Sequence, residues 1–133
     1  MARKLALTAL VYALIGLLLG IYMAASQNHV QMVTHAHILL IGFVISFIYS
    51  AFYKLWNLPG DGRSSQLQFY AHQAGTLVLT GSLFLMYGQF VAPAVLEPIM
   101  AVASIAVLLG MVTMAIVFVR HTRVVRADPG VTA

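Results

Sequence analysis

Thr34-His35-Ala36-His37-Ile38-Leu39-Leu40-Ile41-Gly42-Phe43 places two imidazoles just inside the start of a long apolar run. Histidine in a hydrocarbon-embedded helix is costly, so it calls for a partner or a task. Residues i and i+2 of an α-helix lie about 200° apart, at roughly 100° per residue. His35 and His37 therefore face different neighbours and do not grip one ion from one helix, as an i,i+4 pair would. Function has to account for a helix that offers imidazole on both flanks at one depth.

The rest of the chain agrees with a membrane setting. Of its 133 residues, 62% are hydrophobic and only 8% are charged, with a mean hydropathy of +0.95. Soluble domains carry about 25% charged residues, so the expectation is an all-α integral membrane protein forming a single four-helix bundle over residues 1–133. The absence of cysteine excludes disulfides, iron–sulfur clusters and thiolate zinc sites. A formal charge of +4 does not signal nucleic acid here, because the basic residues flank apolar segments.

The first apolar segment runs from about Leu5 to Ala24, after Arg3 and Lys4. It is long enough to span a bilayer core of roughly 30 Å. It also exceeds the about 7–15 residues of a signal-peptide core, so it reads as a membrane helix despite Ala24-Ala25-Ser26 at its end. The second runs from about Met32 to Trp56 and ends in Tyr53, Lys54 and Trp56, an interfacial anchor. Asn57 to Arg63 is a loop rich in Pro, Gly and Asp signals, with Ser64 or Ser65 as the expected cap of the third helix. That helix is expected from about Gln66 to Gln89. The fourth is expected from about Leu96 to Val119, with Pro98 in its first turn. A loosely ordered tail carrying His121 follows. There is no internal repeat and no second domain.

In a four-span arrangement all seven basic residues, Arg3, Lys4, Lys54, Arg63, Arg120, Arg123 and Arg126, fall on one side. The positive-inside rule then puts both termini in the cytoplasm of a bacterial-type inner membrane. His35 and His37 sit roughly 5–8 Å below the outer boundary at 1.5 Å per residue. His72, near the start of the third helix, is expected near the inner boundary, on the order of 13 Å or more away. His29 lies at the outer surface.

Two readings of the pair compete. In the plainer one, each imidazole hydrogen-bonds a carbonyl or serine of a neighbouring helix and holds the helices together. In the functional one, the ring nitrogens ligate a haem iron or another metal. The apolar and aromatic residues that follow suit a porphyrin face, and Gly42 beside Phe43 permits close approach. No acid or thiolate is near enough in sequence to build a zinc or calcium cage. Copper held by imidazole alone is the alternative, with His29 as a weak further ligand and Met23 and Met32 at a similar level. His72 is a weak candidate for an inner-side ligand. Gly16 and Gly20 form a Gly-xxx-Gly pattern that favours close helix packing, within a bundle or between copies.

The run from Thr34 to Phe43 resembles the haem-ligand helices of subunit I of haem–copper oxidases, and the His-Ala-His-Leu run of related nitric-oxide-response membrane proteins. In the oxidase family a His-x-His pair on one helix serves two haems from opposite sides. That subunit has twelve helices in three arcs of four, with metal ligands on the second helix of each arc. This chain has four expected helices, as one arc does, and carries its pair on the second. The resemblance thus implies a homotrimer, ranked above a dimer, in which His35 of one copy and His37 of another hold haem b. The chain departs from the family in two ways. It has no copper-site histidines. Its only acids, Asp61, Glu97 and Asp128, are expected at or beyond the membrane boundaries, so no buried carboxylate serves a proton path. Oxygen reduction with proton pumping is therefore not expected. Two imidazoles on iron leave no open position, which favours electron transfer, or haem or redox sensing, with an unidentified redox partner. The rivals are a copper-handling membrane protein and a structural subunit of a respiratory complex.

Overall fold

The computed structural model describes residues 1–127, with side chains as far as 123. Asp128 lies outside the described residues. Four helices account for almost all of the chain: α1 (Ala2–Ser26), α2 (Met32–Leu55), α3 (Arg63–Tyr87) and α4 (Pro93–Ala127). No strand occurs among the described residues. Three of the helices, α1, α2 and α4, are long and apolar enough to cross a membrane. α3 has the length but not the hydropathy, for a reason visible in its packing. It presents exposed Leu67, Tyr70, Leu77 and Phe84 outward and buries Ser65, Gln68, His72, Thr76, Thr80 and Ser82. An average over the helix mixes these two faces.

Several local expectations are corrected. No serine caps α3; Gly62 precedes it and the Ser65 hydroxyl instead donates to the Pro59 carbonyl. The helix therefore starts three residues earlier than expected, at Arg63. α4 begins at Pro93, where a missing N–H costs nothing, so Pro98 is inside the helix rather than in its first turn. α4 also continues through Arg120 and Arg123 to Ala127, where a loose tail was expected. α2 is not uniform. Its α-helical start, Met32–His37, gives way to a π-helical stretch, Ile38–Ile45, before α-helix resumes over Ser46–Leu55. Such widened turns recur at functional sites.

α1 runs along α2, α2 packs against α3 and α3 along α4, and side chains of α2 also reach α4, Tyr49 at Met111 and Phe52 and Trp56 at Phe118. Glycines set the tight contacts. A Cβ on Gly16 would meet the Leu39 side chain at 2.5 Å, and one on Gly42 would meet the Tyr12 ring at 2.6 Å. A Cβ on Gly75 would meet the Ala103 carbonyl at 2.9 Å, and one on Gly110 the His72 backbone N at 3.0 Å. Small residues let backbones approach where lipid offers no hydrophobic drive for association.

One end of the molecule gathers the basic residues. The Ser50 hydroxyl donates to the Ala2 carbonyl, and Met1 lies against Gly60. Phe118 of α4 packs on Phe52 and Trp56 of α2, with ring centroids 5.3 and 5.2 Å apart. Leu5, Tyr49, Tyr53, Leu58, Met114 and Val117 form the core beneath. The N-terminus, the α2–α3 loop and the end of α4 thus share one end, as the charge pattern requires. At the opposite end the Gln31 amide donates to the Phe84 carbonyl and Thr34 donates to Gln31.

Candidate functional site

His35 and His37 sit in the first turns of α2, within its regular α-helical part. They keep the angular separation that the sequence dictates. His35 lies in the groove with α1, its Nδ1 2.9 Å from the Gly16 carbonyl. It fits there because Gly20 has no side chain: a Cβ would meet His35 Cε1 at 2.9 Å. Gly16 and Gly20 thus work within one chain, one supplying the carbonyl and the other the space. His37 uses its own helix, with Nδ1 2.8 Å from the Val33 carbonyl.

Carbonyl oxygens only accept, so both rings carry their proton on Nδ1. Neither Nε2 makes a hydrogen bond among the described residues, and both side chains are partly exposed. Metal-ligating histidines characteristically donate their other ring N–H to a carbonyl or carboxylate, which fixes the tautomer and makes the free nitrogen a better donor. The pair is in that state. It combines the two readings, since His35 joins α1 to α2 through one nitrogen and keeps the other.

The remaining candidates fall in different places. Gly42 is buried, but the space above it is filled by the Tyr12 ring. Phe43 is partly buried and packs at 6.2 Å on Phe47. His29 is exposed in the α1–α2 loop. Met23 is 5% exposed and Met32 56%, so the two thioethers do not share an environment. No group of three or more potential ligands from His, Asp or Glu converges among the described residues, and His29 does not complete a three-imidazole site with the pair. Next to the pair, α1 and α3 leave an apolar cleft of about 260 Å³ over Ile38, lined by Tyr12, Ile15, Leu19, Leu77 and Phe84. That is below the about 300–1,000 Å³ of pockets that enclose drug-sized ligands.

His72 is buried inside the protein. The early start of α3 carries it nine residues into the helix, about 13 Å along the axis. It is 0% exposed, packs edge-on against Tyr49 at 4.9 Å and places Nε2 3.1 Å from the Ser46 hydroxyl. Ser46 is eleven residues beyond His35 on α2, about 16 Å along the axis at 1.5 Å per residue. His72 and the His35/His37 pair are separate features. The residues around His72 (Ser46, Gln68, Thr76) were missed in the sequence. Their signal is the four-residue spacing of Gln68, His72, Thr76 and Thr80, which puts them on one helix face. Comparisons with known protein families, characterised proteins and solved structures give no match.

Proposed function

We propose that this chain is a four-span haem b protein of a bacterial-type cytoplasmic membrane. Its basic end faces the cytoplasm, and its role is electron transfer, or haem or redox sensing. The observation that carries the reading is the state of the pair: two partly exposed imidazoles, each anchored through Nδ1 to a backbone carbonyl, each with Nε2 unengaged. Haem iron takes two such nitrogens, and no third protein ligand is needed, which suits the lack of a three-residue ligand cluster among the described residues.

The two rings point away from each other, so one chain supplies one ligand per haem. His35 of one copy and His37 of the next complete each site. The small size of the intrachain cleft agrees with a site walled by more than one chain. A trimer would bring three four-helix units together with equivalent sites. Bound haem supplies a one-electron couple. The protein's part is to hold two imidazoles in one tautomer, through Gly16 and Val33, and to shield them with Ile38, Leu39 and Phe43. Copper handling has less support, because His29 does not join the pair.

Co-production of two inactive variants tests the inter-chain ligation. His35→Ala and His37→Ala homo-oligomers each lack one ligand at every site. A mixed oligomer rebuilds an intact site wherever His35 of one variant meets His37 of the other. Recovery of six-coordinate haem only in the mixture supports the proposal. Haem retained at wild-type occupancy in either variant alone contradicts it, and haem-free wild-type protein after expression with ample haem removes the cytochrome reading.

A further inference from the structure

The inner face of α3 carries three polar atoms that are buried and lack a protein hydrogen-bond partner: Gln68 Nε2, His72 Nδ1 and Thr76 Oγ1. They lie on successive turns of one helix face, and all three residues are 0% exposed. Their lack of partners is not a matter of assignment. Gln68 accepts from the Tyr53 hydroxyl at 3.4 Å through Oε1. Flipping its amide would satisfy Nε2 and orphan Oε1, so one end stays unpaired either way. His72 meets Ser46 through Nε2, and Ser46 also accepts from the Gln73 amide at 3.2 Å. In either tautomer His72 Nδ1 is then an unmatched donor or an unmatched acceptor. The Ile41 carbonyl, in the π-helical stretch of α2, approaches this ring, but Nδ1 makes no properly aligned hydrogen bond.

Thr76 is the exception among the described threonines. Thr8, Thr80, Thr113 and Thr122 bond a carbonyl three or four residues back, and Thr34 bonds Gln31. Thr76, with the same local option, does not take it. Buried polar groups are almost always hydrogen-bonded, to protein or to ordered water. These atoms are sealed from the surface, so neither lipid nor a second copy reaches them. Of common partners only water is small enough to enter.

We propose that the seam between α2 and α3 is a buried water-binding site, held by Gln68, His72 and Thr76. It gives the His72 ring proton exchange with the aqueous phase at the basic end of the molecule, past Tyr53. Adjacent members are one helical turn apart, about 5.4 Å, a gap that one water bridges with hydrogen bonds to both sides. Ser46 and the Ile41 carbonyl offer further partners, and an internal water typically makes about three hydrogen bonds. The widened turn of α2 lies directly opposite. The track runs along α3 to His72 and Thr76, far from the His35/His37 pair, so it stands whether or not haem binds there.

The test is water-to-protein magnetisation transfer by solid-state NMR on the full ¹⁵N-labelled chain in lipid bilayers. The Gln68 side-chain amide and the His72 ring nitrogens are expected to gain signal from water as fast as exposed loop amides, and far faster than the backbone amide of buried Leu79. Gln68→Leu, on the entry side of His72, is expected to slow the transfer to His72 several-fold while leaving the Ser46-bonded nitrogen's shift in place. Transfer to Gln68 and His72 in the wild-type protein as slow as at Leu79 would overturn the proposal without recourse to any variant.

Discussion

Gly20→Ala probes the coupling between helix packing and the histidine pair. The new Cβ would stand 2.9 Å from His35 Cε1 and 3.4 Å from Nδ1, whereas carbon atoms settle at about 3.5–4.0 Å. The ring must retreat by roughly 0.6–1 Å. Its tether to the Gly16 carbonyl, now 2.9 Å, would then stretch to the limit of about 3.5 Å at which a hydrogen bond is lost. Overpacking of this kind costs about 1–3 kcal/mol, and the interhelical hydrogen bond adds about 0.6 kcal/mol. Against this, alanine in place of glycine inside a helix gains about 0.5–1 kcal/mol. The net expectation is a loss of about 1–2 kcal/mol. Gly81→Ala is the control, since a Cβ there meets nothing within 4 Å; it keeps only the gain of about 0.5–1 kcal/mol. Reversible denaturation in mild detergent measures both, and a haem titration followed by absorbance adds the functional readout. Haem affinity of Gly20→Ala should fall roughly tenfold, the equivalent of about 1.4 kcal/mol. Equal stability of the two alanine variants, with unchanged haem affinity, would refute the reasoning.

Ser46→Ala strands the buried His72 Nε2 and removes the acceptor used by Gln73, so stability should fall by about 1–3 kcal/mol in the same denaturation assay. Gly110→Val sets a side chain against the His72 backbone, with the first atom only 3.0 Å from its nitrogen. A backbone cannot swing aside, so α3 and α4 must separate and the variant should lose its cooperative unfolding transition. Phe118→Ala removes the ring shared by Phe52 and Trp56 at the basic end. A loss of about 1–3 kcal/mol is expected, below the about 3–5 kcal/mol of a fully buried phenylalanine, with a shift in Trp56 fluorescence as a local check.

The elements that were legible in the sequence are those governed by strong, local rules. Long apolar runs bounded by polar links placed four helices, and the alternation of basic residues placed Arg3, Lys54, Arg63 and Arg120 at one end. The 200° between His35 and His37 followed from helix geometry alone, and the structure retains it because the pair lies ahead of the π-helical stretch. What was not legible depends on partners distant in sequence. Ser65 was available as a cap but found the Pro59 carbonyl, and α3 starts at Arg63 instead. Gly42 was open to a porphyrin until Tyr12 of α1 filled the space. Nothing in Ile38–Ile45 announces a widened turn, since its residues are ordinary helix and core residues. The polar face of α3 was present as a four-residue spacing, but only the packing of α2 against it shows that it points inward.

The central claim is that the two imidazoles are haem ligands. An absorption spectrum of the purified protein in mild detergent, oxidised and then reduced with dithionite, alongside His35→Ala and His37→Ala, addresses it most directly. The account predicts a sharp reduced α band of a six-coordinate b-type haem that collapses in either variant. A featureless spectrum after expression with ample haem, or an α band that survives both substitutions, would contradict it.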